Sequence, residues 1–517
     1  MAQSTPPTPV PFSTRLETRL RPLCLAATGQ PRVGQRLLAL TMGMLLVSGR
    51  TMLTRMLLAL GLAWHDWTAA YRLFQRSRFD LDVLRRGVVA DWQALYAGQA
   101  PLVVVLDGTQ LPRTSRKMPG VGFLRAPRTP AWHPGIHYAQ RWEGLSGLTP
   151  LSASGDTRTI PLWFEPAPTP KATAWEGYPA RKEWEAGLAG LEWLRAELDP
   201  DGQATRRLVV VADGAYTGAE LWKGVPAETT LLARCAKNRA LFALPPAPTP
   251  GRGRPRKYGD RAPSPQEQRA DPEGWQDVTC QVRGTPRHLH VKVTGPWIVR
   301  TAAKHPLFLI IVAGISRKRG EKRIQRDPTY YLVSARQADT GIWDLPYALQ
   351  ELVSWAWQRW EVEVMHRELK SGWGLGDQQH WHPVSAALVP QWVVWAYAML
   401  LLVALDTASA DVAPPATKWY RGRRWTPRDV LTAVRQDLWH QTVPDFLLPA
   451  GGCPTTRGEN AAQPPPPLAW LRIAHAISCL NALSCSLPTT FADAVHHAAQ
   501  CKVPNLSAGR QLASCMH

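Results

Sequence analysis

Cysteine is scarce in this 517-residue chain: eight residues, at 24, 235, 280, 453, 479, 485, 501 and 515. None form a CxxC pair or a Cys/His spacing of the zinc type, which argues against a structural zinc site. A set so sparse and unpaired fits a reducing compartment. Acidic residues are also few beside basic ones, 40 Asp+Glu against 60 Lys+Arg, a formal charge of +20. That imbalance speaks against a plain metabolic enzyme and for a polyanionic partner. The opening MAQSTPPTPVPFSTRLETRL has no apolar stretch after its charges, so no signal peptide is expected. Only two runs are oily. Leu37–Val47 is too short to cross a bilayer, and Ala386–Leu405 carries Pro390 and Gln391. Both are expected to be core helices, with no membrane partner and a cytoplasmic, nucleoid-associated location. No internal repeat is visible, and 47 prolines with 38 glycines exclude a long coiled coil.

What is present changes texture along the chain. Residues 1–14 are a Pro/Ser/Thr-rich leader expected to be disordered. From 15 to 100, apolar positions recur at spacings of three and four with arginines between them, as in RTMLTRMLLALGL. With the global charge, this predicts an all-helical DNA-binding domain. The span 101–239 alternates strands and helices: strands near 135–142 and 148–153, a helix over 173–198, and a strand over 229–235. Residues 240–335 carry a Pro/Gly/Arg loop and then alternating segments such as HLHVKV and LFLIIVAGI, which predicts a mainly β insertion. Helical pattern resumes over 336–410. Residues 411–450 are basic, and 451–517 are Pro-rich and weakly patterned.

Two apolar runs end in aspartate: Leu102-Val-Val-Val-Leu-Asp107 and Leu208-Val-Val-Val-Ala-Asp213. Each predicts a buried strand with a carboxylate at its tip. Either aspartate alone also suits a turn or helix cap. Two acids at the tips of neighbouring strands can share divalent cations, and a third acid from a crossing helix can complete such a site. Hard oxygen donors suit magnesium. Two such ions about 3.5–4 Å apart serve phosphodiester displacement. The helix predicted over 355–375 holds Glu361, Glu363 and Glu368. Arg359, Glu363, His366, Arg367 and Lys370 lie at offsets that share one helix face. Glu361 falls about 200° around the helix from Glu363 and is expected to point elsewhere.

These residues resemble a family. Asp107-Gly-Thr, Asp213-Gly-Ala-Tyr216 and Arg359-x3-Glu363-x6-Lys370 look like the DDE transposases of bacterial insertion sequences, closest to the group with the Tyr-x2-Arg-x3-Glu-x6-Lys signature and a β-rich insertion before the glutamate. The signature's tyrosine position falls on Ala356, between Trp355 and Trp357. The resemblance covers about 40–440. It implies a mixed α/β and α+β fold: an RNase H-like core interrupted by the β insertion and preceded by the helical domain. It implies catalysis and metal binding by Asp107, Asp213 and Glu363, with two Mg2+ ions for which Mn2+ substitutes. It also implies a homodimer on double-stranded DNA, acting on terminal inverted repeats and target DNA by cleavage and strand transfer. A silent DNA-binding descendant and a nuclease without strand transfer are the alternatives. From Asp213 to Glu363 the chain runs 150 residues, far beyond the roughly 10–12 that a crossover needs, and the surplus independently calls for the insertion.

Arg359, His366 and Lys370 are expected to contact DNA, as are Arg252, Arg254, Arg256 and Lys257 in the Gly/Pro loop. Trp297, Tyr330 and Tyr331 are candidates to stack on a displaced base, with a place in the sheet core as the alternative. Arg317, Lys318, Arg319, Lys322 and Arg323 mark a basic hairpin. His133, His137, His380 and His382 form no convincing ligand set.

Overall fold

The computed structural model describes residues 10–442 apart from 128, 131, 153–155, 204, 247–255, 283, 320–321 and 409–424. Arg252 and Arg254 of the basic loop, most of the basic connector and the Pro-rich tail lie outside the described residues.

Five helices open the chain: α1 (Phe12–Ala26), α2 (Pro31–Leu46), α3 (Leu53–Ala59), α4 (Thr68–Gln75) and α5 (Leu81–Gln93). Pro31 starts α2, where its missing N–H costs nothing. Asp80 caps α5 by accepting from the amides of Asp82 and Val83. Later helices are α6 (Glu183–Leu198), α7 (Ala219–Gly224), α8 (Pro265–Ala270), α9 (Leu349–Gln358), α10 (Trp360–Ser371), α11 (Pro383–Ala408) and α12 (Pro427–Thr442). The apolar stripes of α1, α4 and α5 close onto α11, α2 joins it through Thr41, and α3 packs on α2. Trp392 donates to Thr41 Oγ1 at 3.1 Å and Trp395 to the Leu84 carbonyl at 3.1 Å. Arg435 of α12 donates to the carbonyls of Leu45 and Val47. The helical leader thus shares one hydrophobic core with α11 and α12. α11 is long and apolar enough to cross a membrane, but 94% of its most apolar window is buried inside the protein.

The rest is built on one large mixed sheet. Its strands are β1 (Leu102–Pro112), β2 (Val121–Arg125), β3 (Ile136–Leu148), β4 (Thr159–Pro166), β5 (Leu208–Ala212), β6 (Thr229–Arg234), β7 (Trp275–Val282), β8 (Thr285–Trp297), β9 (Leu307–Val312) and β12 (Thr329–Ser334). A ribbon of β10 (Ile315–Arg319) and β11 (Lys322–Arg326) forms a separate two-stranded sheet. The order is β2-β3-β1-β5-β6-β12-β9-β8-β7, with β4 also on β3. β1, β5 and β6 are parallel; β3 and β4 turn back antiparallel. β5 is buried throughout, as a continuous apolar run between covered faces requires.

Three sequence expectations change. The predicted strands 135–142 and 148–153 are instead one long β3 followed by β4. Gly144 and Gly147 do not break β3: a Cβ on Gly147 would stand 2.3 Å from the Trp92 ring, so glycine there admits a core side chain. The helix expected from 173 begins at Glu183, and the preceding segment packs Trp175 against Gly120 instead. The β-rich segment after 240 is an extension of the main sheet, since β12 pairs with β6 through Tyr331↔Arg234.

Candidate active site beside β1, β5 and α10

Asp107 and Asp213 meet because β1 and β5 are parallel and in register. The last pair is Leu106↔Ala212, so the two aspartates follow side by side where β5 ends. Asp107 is not itself a strand tip. β1 continues to Pro112 on the bonds it makes with β3, and Asp107 lies opposite Gly144. Asp213 Oδ1 accepts from the Ala215 amide at 2.7 Å and so also caps the short turn Gly214–Tyr216.

α10 lies across the same sheet face. Side chains alternate along β1, so Asp107 and Thr109 point the same way. Lys370 donates to Thr109 Oγ1 at 2.7 Å, and His366 Nε2 stands 3.6 Å from Asp107 Oδ2. His366 is 8% exposed. Its expected DNA contact is therefore replaced by a place behind Asp107. Glu363 is one turn earlier, half-buried, with its Oε1 2.9 Å from the Arg359 guanidinium. Arg359 is where the predicted single helix breaks into α9 and α10. Glu361 is buried on another side, lining a cavity of about 330 Å³ with Arg287, Arg326 and Trp360. Ala356 is buried; beside it, Trp357 carries the Arg326 guanidinium 4.1 Å over its ring.

The loop after α10 is tied to β1. Arg113 donates to the carbonyls of Gly376 and Gln378 at 2.9 and 2.8 Å. Burial, and then the Arg113 charge, push His380 down to about 4.

Nothing in the sequence pattern singles out Glu143. It is fully buried on β3 opposite Gly108, and its Oε1 accepts from the Tyr216 hydroxyl. Gly108 is glycine for a local reason: a Cβ there would meet Glu143 Oε2 at 3.1 Å. Burial, and next the charge of Asp107, raise the Glu143 carboxyl well above its usual range, while the Tyr216 bond opposes them. Tyr216 is raised by burial and by Glu143. Asp213-Gly-Ala-Tyr216 is visible as a motif, but a lone glutamate in a strand carries no mark of burial.

The donor chemistry fits a hard divalent cation: carboxylates on neighbouring strands with a third on the facing helix. Among the described residues, no three of Asp, Glu, His and Cys gather closely enough to hold an ion, and Glu363 is engaged with Arg359. The remaining expected contacts scatter. Arg256 and Lys257 are exposed. Trp297 is half-buried and donates to Thr294 Oγ1 at 3.1 Å. Tyr330 and Tyr331 are each 6% exposed, paired in β12 between β6 and β9. Sheet packing, rather than base stacking, accounts for both rings here. The basic hairpin is β10–β11, with Lys318 opposite Arg323.

Carboxylates at the end of a parallel strand pair, faced by a helix that brings both an acid and cations, are the equipment of a nuclease that works on phosphodiesters. The family model described as DDE superfamily endonuclease matches residues 29–294, just over half of the chain, and the chain belongs to that family. The matched span contains Asp107, Asp213 and Glu143 and ends before Glu363. No curated protein matches. A solved piggyBac transposase synaptic complex with hairpin DNA is similar at 12% identity and a TM-score of 0.33, over 88% of this chain and 86% of the other.

Proposed function

We propose that the protein is a DNA transposase that cuts the ends of its own element and joins them to a target. The observation that carries this reading is the side-by-side placement of Asp107 and Asp213, with His366 and Lys370 of α10 against Asp107 and Thr109. Support for an RNase H-like core comes from the order β4-β3-β1-β5-β6, with the first three strands antiparallel to their neighbours, the last three parallel, and α6 crossing between β4 and β5. Asp107, Asp213 and Glu363 would hold two Mg2+ ions, which supply an activated water and a stabilised leaving oxygen. To serve as a ligand Glu363 would have to release Arg359, whose guanidinium would then be free to pair with a phosphate beside the cut. His366 lies against Asp107, its Nε2 3.6 Å from the carboxylate. Lys370 offers its ammonium to the same backbone. Hydrolysis breaks the P–O3′ bond at each element end, and the freed 3′ hydroxyl attacks a phosphorus of the opposite strand or the target, forming a new P–O3′ bond as the one there breaks and leaves a 3′ hydroxyl. Exposed arginines of the helical leader, such as Arg55, Arg72 and Arg76, read the terminal repeats, and a homodimer pairs two ends.

The test is cleavage and strand transfer on DNA carrying the inverted repeats that flank the gene. Asp107→Ala, Asp213→Ala and Glu363→Ala are each expected to abolish cleavage and to leave end binding largely intact. Glu361→Ala is expected to be mild. Near-normal cleavage by any of the first three removes that residue from the site. Cleavage without joining reduces the protein to a nuclease.

A further inference from the structure

One exposed feature has no part in the site above. The β2–β3 hairpin puts Phe123, Trp132 and Ile136 on the surface at 63%, 85% and 68% exposure. Phe123 and Tyr138 are cross-strand partners with ring centroids 3.9 Å apart, and Arg116 lies 5.0 Å over the Tyr138 ring. An apolar cluster of this kind left in water usually marks a binding surface. Its surroundings say for what. Between Asp107 and Glu143 the chain holds six Lys and Arg and no Asp or Glu, and Arg116 and Arg125 are exposed beside the rings.

Position adds a second constraint. The Arg113 amide donates to the Tyr138 carbonyl at 2.9 Å, which fixes Tyr138 beside the end of β1. By strand alternation Phe123, Ile136 and Tyr138 share the sheet face of Asp107 and Thr109. Six residues of strand from Asp107 to Arg113 are about 20 Å, or roughly six nucleotides of one strand. DNA engaged at Asp107 and running along β1 toward Arg113 would reach this hairpin.

We infer that the β2–β3 hairpin is a DNA-contacting platform on which exposed aromatic rings stack with unpaired bases a few nucleotides from the cut, while Arg116 and Arg125 neutralise the adjoining phosphates. The inference rests on the transposase reading. Aromatic rings accept any base face and arginines follow the backbone, so the platform suits unstacked DNA of any sequence.

The test uses the full chain and two fluorescent probes: a 40-base-pair duplex bearing the flanking inverted repeat, and the same duplex with six nucleotides unpaired at one end. Affinity is read by anisotropy across a salt series. Wild type is expected to prefer the forked probe. Phe123→Ala/Tyr138→Ala and Trp132→Ala are expected to weaken forked binding roughly tenfold per stacked ring, with the salt slope kept. Arg116→Ala/Arg125→Ala is expected to flatten the slope by about 0.7–0.9 per lost phosphate contact. Unchanged thermal midpoints confirm that the surface variants fold. Equal affinity of wild type for both probes overturns the inference, and so does undiminished forked binding by the aromatic variants. If those variants instead lose self-association in sedimentation, the surface belongs to a second copy and the inference is equally overturned. A wild type that cleaves while these variants bind normally sinks the platform alone; a wild type that neither binds nor cleaves sinks the transposase reading with it.

Discussion

Replacing Glu143 by alanine removes the hydrogen-bond acceptor of a tyrosine hydroxyl that is buried with it. An orphaned buried hydroxyl costs about 1–3 kcal/mol, and the vacated side-chain space adds a cavity term of about 1–2 kcal/mol. Glu143→Ala is therefore expected to destabilise by roughly 3–4 kcal/mol, large for one substitution. Glu143→Gln keeps the volume and the accepting oxygen, and is expected to cost less than about 1 kcal/mol near pH 5. The two variants also separate through pH. The folded carboxyl is raised above its ordinary value of 4.5, so the folded state keeps a proton that the unfolded chain gives up. The stability this contributes is complete below 4.5 and is lost as pH rises toward the folded value, at up to about 1.4 kcal/mol per pH unit. Glutamine has no proton to lose. Urea unfolding of wild type and Glu143→Gln at pH 5, 6, 7 and 8 should thus show the variant gaining on wild type as pH rises. Parallel profiles would refute the buried protonated acid, and an alanine variant as stable as wild type would refute the bond to Tyr216.

Arg359→Ala and Lys370→Ala are each expected to lower the salt slope of cleaved-end binding by about 0.9; an unchanged slope returns both to structural pairing with Glu363 and Thr109. His380 sits at about 4 against an ordinary 6.5, so its contribution is present above 6.5 and is lost as pH falls toward 4, by at most about 3 kcal/mol. His380→Asn should flatten the acid side of the stability profile, and an unaltered acid limb would show that the imidazole protonates freely. Gly147→Ala should destabilise by about 2–3 kcal/mol, because its methyl would enter the Trp92 ring; a thermal midpoint equal to wild type would mean that the ring yields without cost.

Features carried by neighbours along the chain are legible in the amino-acid sequence itself. Asp107 and Asp213 stand out because a β-branched run and the acid that ends it are contiguous. The Arg359–Lys370 face follows from offsets within one helix, and α10 does turn His366 and Lys370 onto β1. Other features need two distant segments at once. Gly147 reads as a strand breaker until Trp92, far upstream, is seen to fill its place. The strands after 240 read as a separate insertion because nothing local tells β12 to pair with β6. α11 reads correctly as a core helix, but its partners in the leader, α1, α2, α4 and α5, are 290 or more residues earlier in the chain. Glu143 is the sharpest case. In sequence it is one polar residue in a strand, the pattern of a solvated face. It becomes a buried acid only when β3 pairs with β1 at Gly108 and the turn after β5 delivers Tyr216. Register decides which side of a strand is dry, and register is a property of the pair. The two aspartates are therefore legible each from its own strand, while the acid that braces the turn after Asp213 is legible from neither.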